Sequence, residues 1–397
     1  MRFSQFAKTS EESPIRKFHP YAVQAEAAGK KIYHLNIGQP DIETPPAYLD
    51  AVHAFNHKVL EYAPSPGIPS LISEICRYYE GVGVSCVPDN VLITTGGSEA
   101  LRIALICVLD PGEEIITPEP YYTNYHAFVT LTGGAIRPIP AVPEDGYHYA
   151  EREKLEAALT PKTRALLLTN PGNPTGTLLT REEMEMIADF VREHDLWLLV
   201  DEVYREFAYD DTPPVSFGHL DGLDDRLILI DSVSKRFSAC GARVGCMISR
   251  NHDLIRHALK VCQARLSVGT VDQELAAALY RGATPEYYAA VRDEYKRRRD
   301  TVVRKLQAIP GVVCECPRGA FYLMAKLPVD DAEKFQIFLL DNFDDQGETV
   351  MFAPGRSFYA TPGRGVSEIR IAYVLKQADL ERAIDLLALG LKAYNER

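Results

Sequence analysis

The chain has 397 residues, of which 46% are hydrophobic and 25% are charged, as in a globular protein with a large buried core. Its 55 acidic residues outnumber its 43 basic residues, and the net charge of −12 argues against a surface that binds nucleic acid. No apolar run approaches the roughly 18 residues of a membrane span, and no signal peptide is recognisable, so we expect a cytoplasmic protein without a membrane partner.

The eight cysteines are scattered along the chain without zinc-type spacing. They therefore predict reduced thiols and no metal site.

Short apolar runs alternate with longer helical patterns from about residue 90 onward. Six of these runs are apolar almost throughout: 90–95, 113–118, 164–169, 196–200, 226–230 and 244–249. Such runs are typical of strands that helices cover on both faces. They predict an α/β fold whose core is a doubly wound, mostly parallel sheet.

The two ends of the chain have a different pattern. Short strands such as GVVCEC (311–316) and EIRIAY (368–373) are mixed there with helical patterns. We interpret KRRR (296–299) as the solvated face of one such helix. The expected organisation is a large domain over 46–289 and a smaller α+β domain formed by both ends: 1–45 and 290–397.

Glycines and polar residues follow the ends of the predicted strands, where ligands bind in open α/β sheets. Gly97 and Ser98 open a helix whose free N–H groups can hold an anion such as phosphate. A glycine turn capped by Ser98 is the structural alternative. Asn173 lies in NPGNPTG (170–176), where it could reach a ligand, although turn formation alone would also explain this stretch.

Two further strand ends carry charged residues. Asp201 follows a run that is predicted to be buried, and a buried carboxylate is costly unless a cation or the neighbouring backbone binds it. Lys235 ends another such run, in DSVSKRFSACGARVG (231–245). A lysine there loses its proton more easily than a surface lysine and can attack a carbonyl, although a surface charge is the alternative. Arg243 offers a rigid fork for phosphate or carboxylate.

Taken together, these strand ends predict one ligand with three chemical features. It carries a phosphate for the anion-binding residues, a carbonyl for Lys235 and a cationic ring atom for Asp201. Pyridoxal 5′-phosphate has all three features. The residues predicted to hold its phosphate are Gly97, Ser98, Ser232 and Arg243.

Four motifs occur together at these positions: NPTG (173–176), DEVY (201–204), SVSK (232–235) followed at eight residues by Arg243, and RIAY (370–373). In this combination the sequence resembles the class I/II aminotransferases, the fold-type I pyridoxal-phosphate enzymes typified by aspartate aminotransferase. The resemblance implies transfer of an amino group between an L-amino acid and a 2-oxo acid by a ping-pong mechanism. It further implies a homodimer with active sites at the interface, and aspartate and 2-oxoglutarate as first-choice substrates.

The resemblance also implies a role for each residue. Lys235 would hold the cofactor as a Schiff base and carry a proton between the substrate Cα and the cofactor. Asp201 would pair with the ring nitrogen, and Tyr204 and Asn173 would hydrogen-bond the ring oxygen. Further cofactor contacts are implied for Gly97, Ser98, Glu99, Ser232, Ser234 and Arg243.

Four more residues receive roles from the same resemblance. Tyr122 would stack on the ring, for which a packing aromatic is the alternative, and Tyr62 would reach the phosphate of the neighbouring subunit. Arg370 would bind the substrate α-carboxylate, together with Asn173. Gly38 would lie beside that carboxylate, in a segment expected to close over the substrate.

The choice of substrate stays open at this point. Arg265 is a candidate for binding a distal carboxylate, whereas the tyrosines around the site would also accept an aromatic or apolar side chain. Aromatic and alanine-type aminotransferases are therefore alternatives, as are C–S or β-lyases and decarboxylases of the same fold. A ligand-sensing regulator would need a DNA-binding domain before YHLNIG (33–38), and a nucleotide-binding module would leave Lys235 and Asp201 without a role.

Overall fold

The computed structural model describes residues 1–4, 7–8, 16–209 and 215–397. The helices of this part are α1 His19–Ala27, α2 Ala47–Ala54, α3 Pro69–Gly81, α4 Gly97–Val108, α5 Asn124–Leu131, α6 Arg152–Ala158, α7 Arg181–Glu193, α8 Val233–Arg236, α9 His252–Arg265, α10 Thr270–Gly282, α11 Pro285–Gln307, α12 Ala332–Asp341 and α13 Gln377–Asn395. The strands are β1 Lys31–His34, β2 Val91–Thr94, β3 Glu114–Glu119, β4 Ala135–Pro140, β5 Thr163–Thr169, β6 Trp197–Asp201, β7 Leu227–Ser232, β8 Gly245–Ile248, β9 Tyr322–Lys326, β10 Glu348–Met351, β11 Ala353–Pro354 and β12 Glu368–Ala372.

The centre of the molecule is a seven-stranded sheet with the order β2–β8–β7–β6–β5–β3–β4. Strand β8 runs antiparallel to both of its neighbours, and the other pairs are parallel. The predicted α/β fold with a mostly parallel sheet is therefore confirmed.

The central strands are apolar throughout because each face contacts a different hydrophobic layer. In β5, Leu166 and Leu168 contribute to one layer, whereas Ala165 and Leu167 contribute to the layer on the other face. Helices cover both layers, as in other doubly wound sheets.

Helix α7 shows how the sequence builds one of these covering helices. The Thr180 hydroxyl accepts a hydrogen bond from the Glu183 amide at 3.2 Å, and the Glu183 carboxylate accepts one from the Thr180 amide at 2.7 Å. This reciprocal cap satisfies amides that the first helical turn leaves unpaired. The apolar stripe that starts at Met184 then packs against the sheet.

Both ends of the chain contribute to two smaller sheets. Strands β11, β12 and β9 form an antiparallel sheet in that order, and β1 pairs with β10 in parallel. Strand β12 confirms the prediction for EIRIAY. The predicted domain boundary at 289/290 falls inside helix α11, and the division into two domains stays a prediction.

Two predictions for this part of the chain are wrong. GVVCEC is not a strand, because only Val313 of this stretch pairs with a neighbouring backbone, in an isolated bridge to Lys326. KRRR lies in helix α11 as expected, but Arg298 and Arg299 are buried rather than solvated.

Ion pairs explain how an arginine can be buried there. The Arg298 guanidinium contacts Asp41 at 2.6 Å and Glu294 at 2.8 Å, and these carboxylates compensate its lost hydration. Within the described residues, no helix combines the length and the apolar character that crossing a bilayer requires.

Candidate active site

A cavity of about 940 Å³ opens where strands β5, β6 and β7 end. Its walls bring together residues that are far apart in the sequence. The predicted site residues that line it are Gly38, Gly97, Ser98, Tyr122, Asn173, Asp201, Tyr204, Ser232, Ser234, Lys235, Arg243 and Arg370.

Three residues considered from the sequence lie outside the cavity wall. Glu99 contacts the Arg265 guanidinium at 3.3 Å and accepts a hydrogen bond from the Thr95 amide at 2.6 Å. Arg265 also donates to the Ile93 carbonyl at 3.1 Å. Tyr62 points to the surface with 82% of its area exposed. Glu99, Arg265 and Tyr62 therefore do not line the cavity of this chain.

Lys235 lies in the short helix α8, directly after strand β7. The Ser232 hydroxyl caps this helix by accepting a hydrogen bond from the Ser234 amide at 3.0 Å. The Lys235 Nζ donates to the Gly38 carbonyl oxygen at 2.8 Å and lies 3.8 Å from the Cys240 Sγ. The amine is thereby directed into the cavity, towards the segment that carries Gly38.

Asp201 ends strand β6 at the floor of the same cavity. The Tyr125 hydroxyl donates to one carboxylate oxygen at 3.0 Å, and the Val203 amide donates to the other at 3.3 Å. Burial raises the pKa of Asp201 to about 6. No lysine or arginine of the described chain forms an ion pair with this carboxylate, so it can bind a cationic group of a ligand.

Arg370 approaches the cavity from strand β12 and is only 2% exposed. One of its terminal nitrogens donates to the Asn173 side-chain oxygen at 3.2 Å and the other to the Asn36 carbonyl at 2.7 Å, while its Nε has no hydrogen-bond partner. Burial lowers the pKa of Arg370. A buried guanidinium with an unused donor suits a carboxylate ligand.

Tyr204 extends the row of polar groups that begins at Arg370. The Asn173 amide donates to the Tyr204 hydroxyl at 3.4 Å, and this hydroxyl lies 3.2 Å from that of Tyr322. Tyr122 also lines the cavity, and burial raises its pKa to about 12.

The remaining polar wall lies at the start of helix α4, where its donors could hold an anion. Gly96 and Arg243 both have positive φ angles, of 76° and 52°. A Cβ on Gly96 would lie 2.6 Å from an Arg243 terminal nitrogen, so the missing side chain leaves room for the guanidinium. The Ser232 and Ser234 hydroxyls, 2.8 Å apart, line the same wall. This donor set, with free helix amides, suits a phosphate group.

Tyr322 and Cys240 are among the residues of the cavity wall that were not predicted from the sequence. Tyr322 lies in the apolar stretch FYLM, which has the appearance of a core strand. A Cβ on Gly38 would lie 1.7 Å from the Tyr322 hydroxyl, so glycine is required where these two segments meet. Cys240 gave no signal because a lone cysteine is usually a small packing residue.

Comparisons with known proteins identify the family and related structures. The family model "Aminotransferase class I and II" matches residues 30–387. The chain is 34% identical to an aspartate aminotransferase of Streptomyces avermitilis, over 90% of this chain and 89% of that protein. It is 31% identical to aromatic-amino-acid aminotransferase 2 of Thermococcus litoralis, over 96% of each chain. A mutant aspartate aminotransferase of Thermus thermophilus superposes with a TM-score of 0.88 at 28% identity, covering 98% of this chain and 100% of that one.

Proposed function

The chain belongs to the class I and II aminotransferases, and on that basis we propose that it is a pyridoxal 5′-phosphate-dependent transaminase acting first on aspartate and 2-oxoglutarate. The observation that carries the proposal is the position of Lys235, Asp201 and Arg370 around one cavity. An amine, an unpaired carboxylate and an unused guanidinium donor meet there, as amino-group transfer through this cofactor requires.

The cavity suits each part of the proposed cofactor. Arg243, the serine hydroxyls and the start of helix α4 would hold its phosphate, and Asp201 would pair with its ring nitrogen. Lys235 would hold its aldehyde carbon covalently, and Tyr204 with Asn173 would hydrogen-bond its ring oxygen. Pyridoxal phosphate, when bound, supplies a cationic ring that accepts electrons from the substrate.

The protein's own residues then bind the amino acid and move its proton. Arg370 would take the α-carboxylate through its free Nε and a further N–H that its two hydrogen bonds leave unused, which fixes the Cα above the cavity floor. Lys235, once released by the incoming amine, would remove the proton from Cα as a general base. Its contact with Gly38 keeps the amine beside the segment that would cover the substrate.

Aspartate is the first-choice donor for two reasons. Arg16 adds positive charge to the cavity wall beyond the groups that the cofactor and the α-carboxylate would use. A distal carboxylate would meet favourable charge there. The aspartate aminotransferase among the relatives supports the same choice.

An aromatic amino acid is the second candidate. Tyr122, Tyr125, Phe128 and Tyr322 line the cavity and would contact an aromatic side chain. Arg265, the sequence-based candidate for binding a distal carboxylate, instead pairs with Glu99 outside the cavity wall.

We further propose that the enzyme is a cytoplasmic homodimer. Val59, Leu60 and Tyr62 form an exposed apolar segment, as expected of a surface that a second copy covers. In such a dimer Tyr62 would reach the phosphate of the neighbouring site. All eight cysteines are free thiols, which suits a reducing compartment.

The proposal is tested by loading the protein with pyridoxal 5′-phosphate, reducing with borohydride and locating the added mass by peptide mass spectrometry. The label should fall on Lys235, and the loaded protein should convert aspartate with 2-oxoglutarate faster than phenylalanine. Lys235→Ala should abolish both labelling and turnover. Labelling of other lysines with full activity in Lys235→Ala would contradict the proposal.

A further inference from the structure

Two buried arginines lie directly behind the candidate site. Arg205 follows Tyr204 in the chain, and Arg236 follows Lys235. Both are almost completely buried, at 2% and 1% exposure. Each therefore continues a turn that carries a functional residue, but its side chain points away from the cavity into the protein.

Each arginine forms an ion pair with the acidic residue of its own turn. Arg236 contacts the Asp231 carboxylate at 2.7 Å, and Arg205 contacts the Glu202 carboxylate at 3.5 Å. The other Asp231 oxygen accepts a hydrogen bond from the Ser232 amide at 2.7 Å. The ion pair thus joins the residue before the turn, Asp231, to the residue after Lys235, Arg236.

The two arginines also meet on one helix. The Arg236 guanidinium lies 4.0 Å from the centre of the Tyr78 ring, and the Arg205 guanidinium lies 4.9 Å from the same ring and 4.5 Å from that of Tyr79. The Tyr79 hydroxyl donates to Asp231 at 2.9 Å. Helix α3 therefore connects the turn after strand β6 to the turn after strand β7.

Stability alone gives a weak reason for this arrangement. A buried ion pair often contributes no more to stability than well-packed apolar side chains of the same volume. Two such pairs on neighbouring turns, joined through a single pair of tyrosines, instead restrict how the turns can move relative to each other. Fixed relative placement is what a site with residues on separate turns needs.

We propose that Arg205 and Arg236 are positioning residues that, through Tyr78 and Tyr79, hold Tyr204 and Lys235 in a fixed relative arrangement. The functional importance of these two positions rests on the proposed function, whereas the mechanical coupling of the turns does not. Neither arginine would touch the cofactor or the substrate.

The test removes one pair without leaving an unpaired charge, in the double variant Asp231→Asn/Arg236→Met. The first readout is hydrogen exchange of peptides covering 201–207 and 231–237 in the cofactor-free protein. We expect exchange to accelerate about tenfold in both turns, although only one was changed. Met184→Ala, a core substitution on helix α7, controls for general loss of stability and should not accelerate the two turns selectively.

The second readout is the affinity of Lys235 for pyridoxal 5′-phosphate, measured as borohydride-trapped label against cofactor concentration. The double variant should bind about tenfold more weakly, and Met184→Ala should match the wild type once folded. Arg236→Lys, which keeps the charge, should fall between the two. If the turn at 201–207 exchanges at the wild-type rate in the double variant, or if a folded double variant binds the cofactor like the wild type, the positioning role is wrong. A wild type without label on Lys235 would contradict the proposed function, and the exchange data would still decide the coupling.

Discussion

Asp201 provides a quantitative test of the cavity's electrostatics. Burial raises its pKa from 3.8 to about 6 in the cofactor-free protein. The folded state therefore holds a proton that the unfolded state releases between these two pH values. The contribution of Asp201 to stability is fully present below its ordinary pKa and is lost as the pH rises through the folded-state pKa.

The size of the effect follows from the shift. About two pKa units correspond to about 3 kcal/mol in the free energy of unfolding, of which about 2 kcal/mol falls between pH 4.5 and 8. Asn cannot titrate, so Asp201→Asn removes this dependence while it keeps the shape of the side chain. The free energy of unfolding of the wild type, minus that of Asp201→Asn, should therefore fall by about 2 kcal/mol over this range.

The assay is urea unfolding of the cofactor-free protein, followed by the fluorescence of the single tryptophan, Trp197, at the start of the strand that Asp201 ends. Tyr125→Phe is a matched variant, because it removes a hydrogen bond that favours the charged carboxylate. It should enlarge the fall in stability with pH. Equal pH dependence in the wild type and Asp201→Asn would refute the assignment of a raised pKa to Asp201.

Three further substitutions test other walls of the cavity. Arg370→Lys should raise the KM for the amino acid about 10- to 100-fold in steady-state assays, because a lysine cannot form the bidentate pair; an unchanged KM would remove Arg370 from carboxylate binding. Gly38→Ala should weaken substrate binding because its Cβ would collide with the Tyr322 hydroxyl, and Tyr322→Ala in the same chain should restore part of the loss; no effect of Gly38→Ala would show that the two segments are not this close. Arg243→Ala should weaken binding of pyridoxal 5′-phosphate about 10- to 100-fold in an equilibrium titration, through loss of charge-assisted hydrogen bonds, and undiminished affinity would place the phosphate elsewhere.

The sheet was predictable because its strands are buried on both faces. Leu166 and Leu167 point to opposite layers, and each must be apolar, so the run stands out in the sequence. Strand β4 (Ala135–Pro140) lies at the edge of the sheet with most of its residues partly exposed, and it lacks this signal. The strand prediction for GVVCEC was wrong for the opposite reason. Its residues are apolar enough for a strand, but the fold pairs only one of them with a neighbouring strand, in a single bridge.

Residues of the candidate site could be predicted where a charged or reactive side chain directly follows a predicted buried strand. Lys235 and Asp201 are unusual residues to place after buried runs, and the structure sets both at the cavity. Tyr322 could not be identified because its role depends on the approach of Gly38, nearly 300 positions away in the sequence.

The burial of the two arginines Arg236 and Arg298 could not be predicted from the sequence for a similar reason. Arg236 and Arg298 look like surface residues in the sequence, and only the folded chain brings Asp231 and Asp41 to them. Periodicity reports which residues are apolar, but it carries no information about which distant carboxylate compensates a buried arginine.

The central claim is tested most directly by a single half-reaction. The protein, loaded with pyridoxal 5′-phosphate, is mixed with aspartate in the absence of any 2-oxo acid, and the products are quantified by mass spectrometry together with an ammonia assay. A transaminase built as described should release one oxaloacetate per active site and no free ammonia, and then stop until 2-oxoglutarate is added. Continuous release of ammonia, or product formation that persists in Lys235→Ala, would contradict the proposed function.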